Sequence, residues 1–212
     1  MDVLDLGLRD YAEIWEFQKE LVEKRLSGAA GDTILLVEHP PVYTRGRSAR
    51  TPLPPGLPYP VYDVERGGDV TFHGPGQLVG YPVFDLNASG LWVGTFIRRV
   101  ESALIAAIEA EGMAAERLPG FTGVWSRGKK TASIGITVRG GVSYHGFALN
   151  VDMDLSPFGR IRPCKLESAE MSTLSRLAGR AISVARMKDR VIGAFQEAFA
   201  GITGTPCCKA SP

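Results

Sequence analysis

Two stretches of alternating apolar residues, 132–138 and 142–151, lie on either side of the turn Arg139-Gly140-Gly141. Alternation with a period of two predicts β-strands, and a short glycine-rich turn between them predicts an antiparallel hairpin. In a doubly wound fold each strand is followed by a helix, so a hairpin of this length does not fit there. The chain therefore requires a sheet that contains antiparallel strands.

Helical patterns occur between the predicted strands. A capping box at 10–13 begins a predicted helix that ends near Gly28, and apolar residues at helical spacing over 93–108 predict a second helix before Gly112. Ser183 is the predicted N-cap of a closing helix. Four short apolar runs predict further strands, at residues 33–38, 61–64, 78–84 and 121–125. The expected fold class is α/β, as an α+β mixed sheet with helices packed on it.

Composition limits the partners and the compartment. The net charge of +1 among 212 residues gives no reason to expect nucleic acid or an acidic membrane as a partner. No apolar run approaches the roughly 20 residues that span a bilayer, and no secretory signal begins the chain, so we expect a cytoplasmic protein. The length fits one catalytic domain, over residues 1–203, followed by an expected disordered tail over residues 204–212.

The three cysteines are too few and too scattered for a disulfide framework, and they are expected to be free thiols. Neither a Cys-x-x-Cys pair nor a His-x-x-x-His cluster occurs, so the sequence predicts no metal site. It also has no Walker loop and no Gly-x-Gly-x-x-Gly before a helix, so the common nucleotide-binding folds have no support.

A glycine-rich loop with the sequence RGGDVTFHGPGQ covers residues 66–77. Glycines leave backbone N–H groups open to a closely bound ligand, because no side chains block the approach. His73 adds a group that can donate, accept or carry a proton. The alternative is a turn-rich connection in which His73 only satisfies backbone groups.

Lys130 is the second residue of a predicted strand that begins at Lys129. Strand side chains alternate in direction, so Lys130 shares a face with Ala132, Ile134 and Ile136. An ammonium on this apolar face would be desolvated, which favours a lowered pKa and a role as a base. The alternative is that Lys130 lies at the strand end and extends its ammonium to water.

His145 shares the parity of Phe147, Leu149 and Val151 on the next strand, so the alternation predicts that it points to their face. A histidine on an apolar strand face is most often a hydrogen-bonded core residue. Its position across the tight turn from the Lys130 strand does not by itself assign it a role.

Cys164 is flanked by cationic side chains, those of Arg160, Arg162 and Lys165. Neighbouring positive charge lowers a thiol pKa, and the thiolate is the nucleophilic form. The alternative is that Cys164 is an inert packing residue. The remaining pair, Cys207-Cys208, lies in the C-terminal tail and is treated as incidental.

Several of these segments together resemble the lipoyl(octanoyl) transferases of lipoate biosynthesis. The segments are EHPPVYTRG at 38–46, RGGDVTFHGPGQLVGYP at 66–82, GVW at 123–125, KTASIG at 130–135, HGFALNV at 145–151, LSPF at 155–158 and PC at 163–164. Each is weak alone, but their number, order and spacing make the resemblance specific.

The resemblance implies a fold like the catalytic domain of biotin and lipoate protein ligases, and an enzyme that needs neither ATP nor a cofactor. Such an enzyme moves an octanoyl group from octanoyl-acyl carrier protein to a lysine of lipoyl domains. Those domains belong to oxo-acid dehydrogenase complexes and the glycine-cleavage H protein, and this transfer is the first step of endogenous protein lipoylation.

The resemblance also assigns the site. It implies that Cys164 carries the acyl group as a thioester and that Lys130 is the general acid/base. The implied substrate-binding residues are Arg66, Gly67, Gly68, Thr71, His73, Gly74, Gly76, Gln77, Ser133, Ile134, Gly135, His145, Gly146, Phe147, Ala148 and Asn150. Backbone N–H groups near Gly76, Gln77 or Cys164 are candidates for the oxyanion hole, and the sequence does not choose among them.

Three other functions stay open on the sequence alone. An ATP-dependent lipoate or biotin ligase would have a similar sheet but no use for a cysteine nucleophile. A catalytically silent acyl- or protein-binding module would acquire no acyl group on Cys164. A cysteine-dependent thioesterase would release free acid when no lipoyl domain is supplied.

Overall fold

A computed structural model describes residues 1–50, 52–161 and 171–201 of the chain. Within these ranges the larger of two sheets has six strands. Their spatial order is β1 (Asp2–Leu8), β2 (Thr33–Glu38), β6 (Gln77–Val83), β9 (Val142–Asn150), β8 (Lys129–Arg139) and β7 (Val124–Ser126). The smaller sheet has three, in the order β4 (Val61–Asp63), β3 (Val42–Arg45) and β5 (Val70–His73).

Both sheets are mixed. In the larger sheet β1 and β2 run parallel and all other neighbours are antiparallel, and in the smaller sheet β3 is parallel to β4 and antiparallel to β5. The predicted hairpin is confirmed as β8 and β9, with Arg139 opposite Val142. Gly140 and Gly141 both have positive φ in the turn between them, which is the conformation that glycine adopts without strain.

Helices cover the two faces of the larger sheet. Helix α1 (Tyr11–Leu26) packs on one face, and α2 (Val93–Glu109) and α4 (Val184–Ala198) pack on the other. A short 3-10 helix (Ser156–Arg160) and α3 (Leu174–Ala178) follow β9. No helix in the described ranges combines the length and the apolar character needed to cross a membrane.

Strand β2 shows how the two faces divide the core. Ile34 and Leu36 contact the α2/α4 cluster, whereas Leu35 and Val37 contact the α1 cluster. All four side chains are fully buried, because the sheet is covered on both sides. This explains why β2 is an unbroken apolar run in the sequence and not an alternating one.

The three predicted helices are confirmed, and the caps agree in detail. The Asp10 carboxylate accepts from the backbone N–H groups of Ala12 and Glu13, and the Ser183 hydroxyl accepts from that of Arg186. The interpretation of residues 66–77 as an uninterrupted loop is wrong in part, because Val70–His73 forms β5 against β3. Strands β1 and β3 were also not predicted.

The buried carboxylate of Glu111 connects the end of α2 to α4 through hydrogen bonds. Glu111, just after α2, accepts hydrogen bonds from Arg180, Arg186 and Arg190 at 2.8–3.2 Å. Burial alone would raise the pKa of Glu111, but the hydrogen bonds from the three guanidinium groups outweigh it and lower the pKa to about 2.

Replacing Glu111 with Gln should destabilise the fold and flatten its acid dependence. Loss of the carboxylate is expected to cost about 2 kcal/mol, since the arginines are partly exposed, which lowers Tm by about 4–8 °C. Because the folded pKa is depressed, this contribution is present above pH 4.5 and is lost as the pH falls towards 2. Thermal unfolding of Glu111→Gln and of the exposed control Glu109→Gln at pH 7, 4 and 3 tests this; equal Tm values for both at pH 7 would contradict it.

Candidate active site

The candidate active site is a pocket on β8 and β9, closed by β5, β6 and the first turn of α1. It contains about 630 Å³ of space between protein atoms, its open mouth included. Lys130 lines it, as do most of the predicted binding residues, namely Arg66, Gly67, Gly68, Thr71, His73, Ser133, Ile134, Gly135, His145, Gly146, Phe147 and Ala148. The structure therefore brings together segments that are far apart in the chain.

Five further residues line the pocket that the sequence reasoning missed, namely Tyr11, Val70, Val79, Tyr81 and Met171. Strand parity was an available signal for two of them, because Val79 and Tyr81 alternate on β6 and pack in one cluster with α1. Tyr11 gave no such signal, since a capping box predicts a helix start but not which sheet the helix covers.

Lys130 is buried at the start of β8, with 3% of its surface exposed. Its ammonium nitrogen lies 5.0 Å from the centroid of the Trp125 ring on β7. On its other side β8 pairs with Met171, and the Ser172 N–H donates to the Lys130 carbonyl oxygen at 3.0 Å. The alternative in which Lys130 extends its ammonium to water is therefore wrong.

Gly123 provides the space for the Lys130 side chain. It has a φ of +138°, and an added Cβ would lie 2.8 Å from Lys130 Cε and 2.5 Å from the Ala132 carbonyl oxygen. The Gly123 N–H donates to the carboxylate of Glu101, which is fully buried, at 3.1 Å. A charged group of α2 thus holds the backbone that packs against Lys130.

Gly123→Ala should impair catalysis by displacing Lys130. The new methyl group overlaps both Lys130 and strand backbone, and a displacement of about 1 Å at a catalytic group costs on the order of 100-fold in rate. Gly128→Ala is the matched control, because Gly128 also has positive φ (+71°) but no atom within 4 Å of an added Cβ. Transfer rate and Tm should be measured for both; equal rates in the two variants would contradict the role of Gly123.

Two predicted binding residues lie behind the pocket wall in a buried hydrogen-bond chain. His73 Nδ1 contacts Gln77 Oε1 at 2.8 Å, Gln77 Nε2 donates to Asn150 Oδ1 at 2.9 Å, and Asn150 Nδ2 donates to the Ser172 carbonyl oxygen at 3.3 Å. Neither Gln77 nor Asn150 lines the pocket. Their hydrogen bonds connect the glycine-rich loop to the backbone that pairs with Lys130.

Arg66 closes one wall of the pocket. Its guanidinium donates to the carbonyl and hydroxyl oxygens of Thr44 at 2.7–3.2 Å, and the same hydroxyl contacts His73 Nε2 at 3.4 Å. Gly135 on β8 faces this wall, and an added Cβ there would lie 2.7 Å from the Gly67 carbonyl oxygen. The loop and β8 can approach this closely only because Gly135 has no side chain.

The histidines near the pocket are neutral hydrogen-bonding groups. Burial lowers the pKa of His73 to about 3 and that of His39 to about 4. His73 stacks on Tyr11 with 5.9 Å between ring centroids, and His39 bridges the Arg9 carbonyl oxygen and the Tyr81 hydroxyl at 2.8 Å each. Of the three roles considered for His73, donor and acceptor fit this environment and proton carrier does not.

The predicted direction of His145 is wrong. Strand alternation placed it with Phe147 and Leu149, which pack in the α2/α4 cluster. His145 instead has a φ of +54°, which reverses its side chain, and it contacts groups on the α1 side of the sheet. Its Nε2 lies 3.3 Å from a Glu65 carboxylate oxygen, and its backbone N–H donates to Gln18 Oε1 at 2.9 Å.

Two of the backbone groups considered for an oxyanion hole are already engaged. The Gly76 N–H donates to the Glu38 carboxylate at 2.9 Å, and the Gln77 N–H donates to the Gly74 carbonyl oxygen at 3.2 Å. Gly74 and Gly76 do not line the pocket. The remaining candidate, at Cys164, lies outside the described residues.

Most of the other predictions about cysteines and positively charged side chains also concern residues outside the described ranges. Arg162, Lys165, Cys207 and Cys208 are outside the described ranges, and Arg160 is exposed at the end of the 3-10 helix. Among the described residues, no group of three His, Cys, Asp or Glu side chains is placed to hold a metal ion.

Comparison with known proteins gives one consistent family. Residues 10–196 match the family described as "Lipoyl protein ligase A/B catalytic domain". The octanoyltransferase of Geobacter sulfurreducens is 46% identical over 195 residues, which cover 92% of this chain and 83% of that protein. The octanoyltransferase of Mycobacterium tuberculosis H37Rv is 43% identical over 205 residues, or 95% of this chain and 88% of that protein.

Solved structures with the same fold are more distant in sequence. Lipoate-protein ligase A bound with ATP has a TM-score of 0.72 at 13% identity, over 93% of this chain and 85% of that chain. Biotin protein ligase from Aquifex aeolicus, in complex with biotin and ATP, has a TM-score of 0.59 at 13% identity, over 95% and 72%. At this identity the likeness extends to the fold and not to the reaction, and it confirms the predicted fold class.

Proposed function

The chain belongs to the lipoyl protein ligase A/B catalytic-domain family, as an acyltransferase of the octanoyltransferase group, and from that premise we propose how its pocket performs the transfer. Lys130 is the general acid/base, and Cys164 carries the octanoyl group. The observation that most supports this is the burial of Lys130 in the lining of a largely apolar pocket, where it pairs with Met171, seven residues after Cys164 in the sequence.

The first half-reaction forms the acyl-enzyme. Lys130 takes the proton from Cys164, and the thiolate attacks the carbonyl carbon of the octanoyl thioester on acyl carrier protein. The carbon–sulfur bond to the carrier breaks, and the departing thiolate receives the proton from Lys130. One thioester replaces another, so the step is near isoenergetic and requires no ATP.

The second half-reaction forms the amide. The amine of a lysine on a lipoyl domain attacks acyl-Cys164, the bond to the cysteine sulfur breaks, and Lys130 accepts the proton that the nitrogen loses. Lipoyl domains of oxo-acid dehydrogenase complexes and the glycine-cleavage H protein are the proposed acceptors. We also propose that the protein is cytoplasmic, and that residues 1–203 form one catalytic domain followed by a tail over residues 204–212.

The predicted binding residues divide into two roles in this proposal. Those that line the pocket, such as Ile134, Phe147 and Ala148, surround the acyl chain and exclude water from the thioester. Gln77 and Asn150 hold the pocket wall through their hydrogen bonds and do not contact the chain. Because the walls of the pocket are largely apolar, we expect the pocket to bind the hydrocarbon chain of the acyl group and not the polar carrier protein.

Intact-mass measurement of the acyl-enzyme tests the proposal. The protein is mixed with octanoyl-acyl carrier protein, without ATP, in the presence and absence of a lipoyl domain. We expect one octanoyl adduct that maps to Cys164 and disappears when the acceptor is added, with matching gain of mass on the acceptor.

Each competing function gives a different result in this experiment. Transfer that requires free octanoate and ATP would indicate a ligase, and free octanoate released without acceptor would indicate a thioesterase. No adduct and no transfer would indicate a binding module.

A further inference from the structure

Glu101 on α2 is a charged side chain in the protein interior, a place that carboxylates seldom occupy without partners. Its Oε2 accepts hydrogen bonds from Arg98 Nη1 at 2.7 Å and from Arg117 Nε at 2.9 Å. Its other oxygen, Oε1, accepts from the backbone N–H of Gly123 at 3.1 Å. The two arginines compensate the charge, whereas the third bond joins the helix to the backbone that contacts Lys130.

Two of these donors lie at the two ends of an exposed loop. Arg117 immediately precedes residues 118–122 and Gly123 immediately follows them, and all five residues between them are exposed. The Arg117 guanidinium also donates to the Arg98 carbonyl oxygen at 2.9 Å, so the first end of the loop has a second bond to α2. Exposed segments with little packing of their own have low local stability. The position of Gly123 therefore depends on its bond to Glu101.

Gly123 passes this restraint to Lys130 by direct contact. A Cβ added at Gly123 would lie 2.8 Å from Lys130 Cε and 3.4 Å from the ammonium nitrogen. The same nitrogen lies 5.0 Å from the centroid of the Trp125 ring. A lysine side chain has many rotamers, and packing of this kind is what restricts it to one of them. If Gly123 moved away, the Lys130 side chain would gain space and lose its fixed geometry.

The strand alone does not fix the direction of Lys130. In the β7–β8 ladder Trp125 pairs with Lys130, but the next pair is Val124 with Ala132. Thr131 is thus an extra residue in β8, which is a β-bulge. A bulge interrupts the regular alternation of side chains, so the contacts around Lys130 determine where its ammonium lies.

We propose that Glu101 is a positioning residue for acyl transfer, because its carboxylate holds both ends of the 118–122 loop and thereby keeps Gly123 against the Lys130 side chain. Glu101 does not touch the reacting atoms and acts only through this contact. Its importance for the rate rests on the proposed function of Lys130 as the general acid/base. Its effect on the position of Lys130 does not.

Glu101→Gln tests the proposal through the rate. An amide has one acceptor oxygen, and the two guanidinium groups attract it, so its NH₂ group faces the Gly123 N–H and two donors oppose each other. A small displacement of a catalytic group slows the chemical step more than it weakens binding. We expect kcat for octanoyl transfer to fall about tenfold or more, while KM for octanoyl-acyl carrier protein changes by less than about twofold.

A spectroscopic measurement follows the position of Lys130 without activity. Lysine labelled with ¹³C at Cε gives a ¹H–¹³C signal for each side chain, and the Lys130 signal is identified by its absence in Lys130→Met. The ring current of Trp125 acts on this signal, because the ammonium nitrogen lies beside the ring. We expect its chemical shift to change in Glu101→Gln, and an unchanged shift would overturn the proposal.

Glu111→Gln is the matched control. Glu111 is a second fully buried carboxylate near the end of α2, and its guanidinium partners are Arg180, Arg186 and Arg190. Its loss lowers Tm but leaves the 118–122 loop bonded to Glu101, so kcat and the Lys130 signal should stay at their wild-type values. Equal changes in Glu101→Gln and Glu111→Gln would mean that Glu101 acts only on stability, which contradicts the positioning role.

The double variant Glu101→Gln/Gly123→Ala tests whether Glu101 acts through Gly123. Both changes displace the same contact, so the double variant should transfer octanoyl within about twofold of the rate of Gly123→Ala alone. Additive losses would overturn the proposal. If Glu101→Gln does not fold, Glu101→Asp takes its place, since it keeps the charge for the arginines but withdraws the carboxylate from Gly123 by about 1.5 Å.

These results separate the inference from the transfer reaction. If wild type transfers no octanoyl, the proposed function fails, and the Lys130 signal still decides whether Glu101 positions the side chain. If wild type transfers octanoyl and Glu101→Gln moves the signal but keeps kcat, Glu101 has no positioning role in the reaction.

Discussion

Cys164→Ser is expected to abolish octanoyl transfer, with a loss of about 10⁴-fold or more in kcat. A serine hydroxyl at neutral pH contains almost none of the ionised nucleophile that a thiol beside basic groups can form. The measurement is transfer from octanoyl-acyl carrier protein to a lipoyl domain, together with intact mass of the enzyme. The variant should carry no octanoyl thioester.

The chain contains its own control for this substitution. The double variant Cys207→Ser/Cys208→Ser removes the other two thiols and should keep both the adduct and the transfer rate. Near-full activity in Cys164→Ser, or loss of the adduct in the double variant, would assign the acyl group to another residue.

Lys130→Met should lower the transfer rate by about 10²–10⁴-fold while leaving the protein folded, since methionine retains the apolar contacts of the lysine stem. Its second effect is on Cys164 itself. Without the proposed base, the pH at which iodoacetamide alkylation of Cys164 reaches half its maximal rate should rise. Intact-mass kinetics between pH 5 and 10 would record that shift.

Lys129→Met is the matched control, because Lys129 is the adjacent residue of β8 and does not line the pocket. It should retain the alkylation profile of the wild type. An unshifted profile in Lys130→Met would mean that another group ionises Cys164, even if the transfer rate falls.

The sequence predicted best the features that depend on neighbouring residues. The N-caps of α1 and α4 need only a side-chain oxygen and the two or three N–H groups that follow, so Asp10 and Ser183 were assigned correctly. The β8–β9 hairpin was predicted equally well, since the two strands and the turn are contiguous in the chain. The catalytic roles of Lys130 and Cys164 were predicted from the family resemblance. Their sequence positions alone did not exclude a solvent-exposed lysine at a strand end or an inert packing cysteine.

The incorrect predictions concern features that depend on contacts between distant parts of the chain or on irregular backbone angles. The residues of β5 were predicted to be part of a loop because glycines lie on both sides of them in the sequence. These four residues form a strand only because they pair with β3. The direction of His145 was wrong because alternation assumes regular φ values throughout a strand, and one positive φ reverses the side chain. The lining residue Tyr11 depends on how α1 packs against the sheets, which no local pattern encodes.

The buried hydrogen-bond chain behind the pocket also has a consequence for the order of folding. Its link from Gln77 to Asn150 joins residues 73 positions apart, whereas the β8–β9 hairpin forms between neighbours. Contacts with large sequence separation form late, because the intervening chain must first lose its freedom. We therefore expect the hairpin to form early and the pocket wall to form only after β6 packs against β9. During synthesis, the nascent chain therefore has no complete pocket until β9 has emerged from the ribosome.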